Sequence, residues 1–178
     1  MAINGTLSYP YIMASRQIQL LANCAFGSNH FSSEDKGFSF EVPEGYCILP
    51  NRLFPRDGSI EIVPKGWYFV FNEYAKGTVA QASQATLLFE PVQPDRDPSQ
   101  IIGNLIDGRF ASPTSIHPST TQSGTDFTLV DKVKGTDDQR YNWAFTTHPD
   151  GKIFLGIVTK DSADNTIRSY IMDSISTQ

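Results

Sequence analysis

RYNWAFTT (residues 140–147), HPDG (148–151), KIFLGIVTK (152–160) and DSADNTIRSYIMDSIS (161–176) follow one another along the chain. In the first block Tyr141, Trp143 and Phe145 alternate with Asn142, Ala144 and Thr146, the period-2 pattern of a half-buried strand. Pro149-Asp150-Gly151 is turn chemistry: proline presets φ, aspartate bonds back to the local backbone, and glycine takes a positive φ. The third block clusters β-branched and aromatic residues, so the two runs form a β-hairpin. Asp161 and Ser162 are candidate N-caps for a following helix, with Asp164 placed in its first turn. Ile167, Tyr170, Ile171 and Ile175 are expected on the buried face of that helix. His148, inside the turn, is expected to be exposed.

Working outward, 178 residues suit one domain with a sizeable core. The expected division is an N-terminal extension over residues 1–36, holding a short helix, and one α+β domain over 37–178. A net charge of −5 offers no basic stripe of the kind nucleic-acid binding needs, so no nucleic acid is expected. No run reaches the roughly 18 apolar residues of a transmembrane helix. RQIQLLANCAF (16–26) has an outline shared with lipoprotein signals, but Asn23 stands where a small residue is wanted before Cys24. An amphipathic helix with Ile18, Leu20, Leu21 and Ala25 inward is the preferred reading. The chain is expected to be soluble, cytoplasmic or exported after processing.

GFSFEVP (37–43) opens the body as an alternating strand, ended by Pro43. Ser28 to Lys36 before it reads as an exposed loop. Strands are expected over Tyr46–Leu49, Ser59–Val63, Trp67–Phe71, Ala85–Glu90 and Thr125–Lys134, with a turn at Gly135 to Asp138. Asp97, Pro98 and Gln100 form a capping arrangement before a short helix carrying Ile101, Ile102, Leu105 and Ile106. RFASPTSIHPSTTQSGTD (109–126) is the longest polar stretch and reads as a loop; loops of that length are usually functional or disordered.

Catalytic signatures are missing. There is no G-x-S-x-G, no phosphate-binding glycine loop, no H-x-x-x-H and no C-x-x-C. No metal or cofactor is expected. Cys24 and Cys47 are the only cysteines; they are either two buried thiols or one disulfide. Tyr46, Trp67, Tyr68, Tyr74, Tyr141 and Trp143 suit a core or an interface equally.

Two places resemble the PsbP-like superfamily, which includes photosystem II extrinsic subunits, bacterial domains of unknown role and Ran-GTPase release factors. One is Gly37-Phe-Ser-Phe-Glu-Val-Pro-Glu-Gly-Tyr46, similar to the opening strand of many members; the other is the closing hairpin followed by a helix. The likeness spans residues 37–176. It implies an antiparallel sheet flanked by helices (an αβα sandwich) and members that act by binding rather than turnover. The order of strands and helices independently gives an α+β fold with a mainly antiparallel sheet.

The expected function is a non-enzymatic accessory domain contacting a protein partner through the stretch from Arg109 to Thr125, with Arg109, Phe110 and His117 as contact residues. One alternative is a hydrolase using Cys47 with His117 or His148. Another is a small-molecule carrier, which needs a pocket.

Overall fold

The computed structural model describes residues 29–50, 59–65, 83–92, 100, 102–103, 115–135, 138–161 and 165–178. Ten strands and one long helix are assigned there. The strands are β1 (His30–Ser33), β2 (Phe38–Glu41), β3 (Tyr46–Pro50), β4 (Ile60–Pro64) and β5 (Ala85–Pro91), then β6 (Ser115–Thr120), β7 (Asp126–Lys134), β8 (Arg140–Thr147), β9 (Ile153–Lys160) and β10 (Ser176–Thr177). The helix α1 spans Asn165–Ser174. A seven-stranded sheet runs β3-β4-β5-β9-β8-β7-β6, and a three-stranded sheet runs β1-β2-β10. Every pairing is antiparallel. The fold is α+β with a mainly antiparallel sheet.

The closing hairpin forms as its sequence directs. His148 N–H donates to the Ile153 carbonyl and Gly151 N–H to the His148 carbonyl, both at 2.8 Å, with Gly151 at φ 73°. β8 departs from the half-buried expectation: Asn142, Trp143, Ala144, Phe145 and Thr146 are all buried. It lies between β7 and β9, and both faces of the sheet are covered there.

On one face, Ala144, Leu155 and Ile157 pack with Phe38 and Phe40 of β2 and with Ile167, Ile171 and Ile175. On the other, Trp143, Phe145 and Phe154 pack with Val130 and Val133, and Ile102 packs against them. The rings of Trp143 and Phe145 stack with centroids 5.1 Å apart, and those of Phe145 and Phe154 at 5.3 Å. Gly156 lies opposite Phe145 and leaves the ring its place; a β-carbon there would sit 3.3 Å from it.

Three buried polar side chains on the doubly covered strands are satisfied, as burial requires. Asn142 accepts from Lys132 N–H at 2.9 Å and donates to Asp161 Oδ1 at 3.0 Å. The Thr146 hydroxyl donates to the Asp126 carbonyl at 2.8 Å. The Thr159 hydroxyl donates to the Asn142 carbonyl at 3.3 Å. Asn142 thereby serves a bulge in β7, where the register shifts between Val130 and Val133 and Lys132 takes φ 56°. Asp161 is tied to β8 by its bond from Asn142 and by its own N–H, which donates to the Arg140 carbonyl at 2.8 Å; the residues it was expected to cap, 162–164, lie outside the described residues.

Several local expectations change. Residues 28–36, read as a loop, contain β1, which pairs with β2 from His30↔Glu41 to Ser33↔Phe38. Residues 109–126, read as a loop, contain β6, paired with β7 from Ser115↔Asp131 to Thr120↔Asp126. Tyr170 is exposed and Met172 is buried instead. At about 100° per residue, positions 170 and 172 lie equally far to either side of the stripe Ile167, Ile171, Ile175, so spacing alone does not decide which of them is buried. Residues 102–103 are helical, within the expected capped helix. Ser162, Asp164, the rest of that helix including its cap, the run Trp67–Phe71 and the N-terminal helix lie outside the described residues.

Candidate functional site

Among the described residues β6 is an outer strand of the large sheet, and all of its residues are exposed or half-exposed. Its sequence, SIHPST, holds one large apolar side chain, Ile116, at 62% exposure. His117 follows it. The two point to opposite faces of the sheet, because successive strand residues do. Arg109 and Phe110, the other expected contact residues, lie outside the described residues.

His117 is not a free imidazole. Its Nε2 stands 3.7 Å from Asp131 Oδ2, while Asp131 Oδ1 accepts from Arg168 Nη1 at 2.6 Å. The same Arg168 nitrogen donates to the Trp143 carbonyl at 3.2 Å. Arg168 is mostly buried and Asp131 half-buried, so the carboxylate is held chiefly by the guanidinium. The cluster fixes the edge of the sheet to α1.

Next to β6 an open groove of about 800 Å³ is bounded by Pro118, Thr120, Asp126, Phe127, Thr147 and Pro149. Among the described residues lining it Asp126 is the one charged group, and its Oδ1 accepts from the Thr120 hydroxyl at 2.7 Å.

Cys47 is buried and disulfide-bonded. Its sulfur is therefore no thiolate, and the hydrolase alternative loses its nucleophile. Cys24 lies outside the described residues. Among the described residues no group of three or more His, Cys, Asp or Glu could hold a metal ion.

His148 contradicts the exposed-turn expectation: its side chain is only 12% exposed. Nδ1 lies 2.7 Å from Asp150 Oδ1, and the ring stands edge-on to Phe38 at 5.3 Å and 87°. Nε2 is buried against Gly37, where a β-carbon would come within 2.7 Å of it. The Lys152 N–H, donated at 2.9 Å, holds the Asp150 carboxyl below its ordinary range against a small opposing effect of burial, and His148 and the Lys152 ammonium add to the lowering. His148 is thus a structural pin between two turns, distant from the chemistry expected of it.

No family model matches the sequence, and no curated protein matches it. Solved structures do match in fold. Against the solution structure of cyanobacterial PsbP from Synechocystis sp. PCC 6803, the TM-score is 0.49 at 11% identity, covering 84% of this chain and 91% of that one. Against the Saccharomyces cerevisiae Ran-binding protein Mog1p it is 0.48 at 11% identity, covering 83% and 94%. A Bacteroides thetaiotaomicron protein gives 0.44 at 11% identity, with 85% of this chain but 48% of that one covered. Among the described residues no helix is long and apolar enough to cross a membrane.

Sequence reasoning read the segment as a loop, whereas residues 115–120 of it form β6. The residue it passed over is Ile116. The available signal was an isolated large aliphatic residue in an otherwise polar run.

Proposed function

We propose that the chain is a non-enzymatic accessory domain that binds a protein partner through β6 and the turn after it, together with Arg109 and Phe110. The observation that carries this is an outer strand presenting Ile116 at 62% exposure beside an open groove. Exposed aliphatic surface next to a concavity suits an anchor-and-pocket contact better than it suits solvent. The disulfide at Cys47 counts in the same direction, since it leaves that sulfur no thiolate to act as a nucleophile. The net charge of −5 counts against a nucleic-acid ligand.

The test uses the folded chain as bait in extract of its source. A stoichiometric partner should be retained by the wild type and by Tyr170→Ala, and lost with Ile116→Lys at an unchanged melting temperature. Retention by Ile116→Lys equal to the wild type would overturn the reading. Replacing residues 112–123 by a flexible link is not a suitable probe, because it would delete β6.

On the same proposal the chain and its partner meet in an oxidising compartment. Cys47 is disulfide-bonded in a chain that has two cysteines, and disulfides persist mainly in exported proteins. A Cys24–Cys47 bond requires the unreduced chain to weigh two hydrogens less than the reduced one. Two alkylatable thiols in protein taken directly from its source would refute it.

A further inference from the structure

The hairpin that joins β6 to β7 determines which way the backbone of β6 points. Thr121 N–H donates to the Thr125 carbonyl at 2.9 Å, and Gly124 N–H to the Thr121 carbonyl at 3.0 Å. Thr121 and Thr125 are therefore a hydrogen-bonded pair in the same register that sets Thr120 opposite Asp126. In an antiparallel ladder, bonded and non-bonded pairs alternate. Ser119, His117 and Ser115 consequently direct their N–H and C=O groups to β7. Ile116, Pro118 and Thr120 direct theirs away from it.

Pro118 stands in the middle of that outward row. It has no N–H, and at this position it takes nothing from the pairing with β7; at position 117 or 119 it would have broken a bond. The rest of β6 has little else to discourage another strand. SIHPST carries no lysine, aspartate or glutamate, and its isoleucine is 62% exposed. Such an edge invites pairing with a further strand, above all with β6 of a second copy.

We propose that Pro118 is an edge guard. By removing the central outward donor it prevents β6 from being extended by another strand, so that anything meeting this edge does so through side chains. The inference stands apart from whether the chain has a protein partner.

Sedimentation equilibrium over a wide concentration range tests it, on the wild type, Pro118→Thr, and Pro118→Thr combined with Thr120→Pro. The single variant should double in mass as concentration rises, and the combined variant, with its guard restored one outward position along, should return to the mass of one chain. Thermal melts by circular dichroism confirm that each is folded. A Pro118→Thr chain with the wild-type mass throughout overturns the proposal, as does a wild-type dimer that Ile116→Lys dissociates. Amide hydrogen exchange checks the phase independently. Ile116 and Thr120 should exchange much faster than His117 and Ser119, and equal protection would refute the assignment.

Discussion

Replacing Gly37 by alanine should be far more costly than replacing Gly151, although both glycines hold nearly the same backbone conformation, φ 68° and 73°. An alanine in the left-handed region costs about 1 kcal/mol relative to glycine. At Gly151 that is the whole cost, because a β-carbon there meets nothing within 4 Å. At Gly37 the β-carbon would stand 2.7 Å from His148 Nε2. The imidazole cannot swing aside freely, being held by Asp150 at 2.7 Å and packed edge-on against Phe38. Overpacking of this kind adds about 1–3 kcal/mol, for about 2–4 kcal/mol in all. In a domain of this length each kcal/mol moves the melting temperature by about 2–4 °C. Gly151→Ala should lower it by that amount and Gly37→Ala by roughly 4–16 °C by the same conversion. Calorimetry on both variants, with His148→Ala and the Gly37→Ala/His148→Ala pair, completes a double-mutant cycle. In the pair the clash is gone, so the second substitution should cost only the backbone share. Equal costs at the two glycines, or strict additivity in the cycle, would refute the pin between the turns.

Asp138 adopts φ 62° in the turn from Gly135 to Gln139, so Asp138→Gly should stabilise by up to about 1 kcal/mol in urea melts; the contact it forfeits with Lys134 at 2.7 Å is exposed and worth little. Asn142→Ala strips partners from both the Lys132 N–H of the β7 bulge and the Asp161 carboxylate, and should cost about 2 kcal/mol or more by the same assay. Asp150 titrates below its ordinary 3.8 in the folded chain. A lowered carboxylate adds stability that is present above the unfolded value and lost as pH falls through the folded one. Asp150→Asn should therefore weaken the acid-induced loss of stability below pH 3.8, by a small amount because the carboxylate is open to solvent.

The closing hairpin and helix were legible because their signals are local: alternation, a Pro-Asp-Gly turn and an aliphatic stripe. What alternation could not reveal is that β8 is covered twice. Asn142 and Thr146 look like solvent-facing residues, and only the bonds they make to Lys132, Asp161 and Asp126 explain why they can be buried. β6 was illegible for the opposite reason. An outer strand exposed along its length has no apolar face to alternate with, so SIHPST looks like a loop until its register with β7 is known. His148 was placed correctly in a turn, yet its burial comes from Gly37 and Phe38, distant in sequence and beyond any local pattern. At the candidate site, position came from composition; the exposure of Ile116 and the outward direction of Pro118 needed the pairing.

The three-stranded sheet joins β2 to β10, and the Gln178 N–H donates to the Gly37 carbonyl at 2.9 Å. During synthesis, then, β2 leaves the ribosome long before its partner exists. At ~5–20 residues per second the wait is on the order of ten seconds. Through that interval Phe38, Phe40 and Val42 have neither β10 beside them nor Ile167, Ile171 and Ile175 above them. The half of the core that rests on β2 is completed last, and any surface that binds those two phenylalanines in the meantime competes with the chain's own final strand.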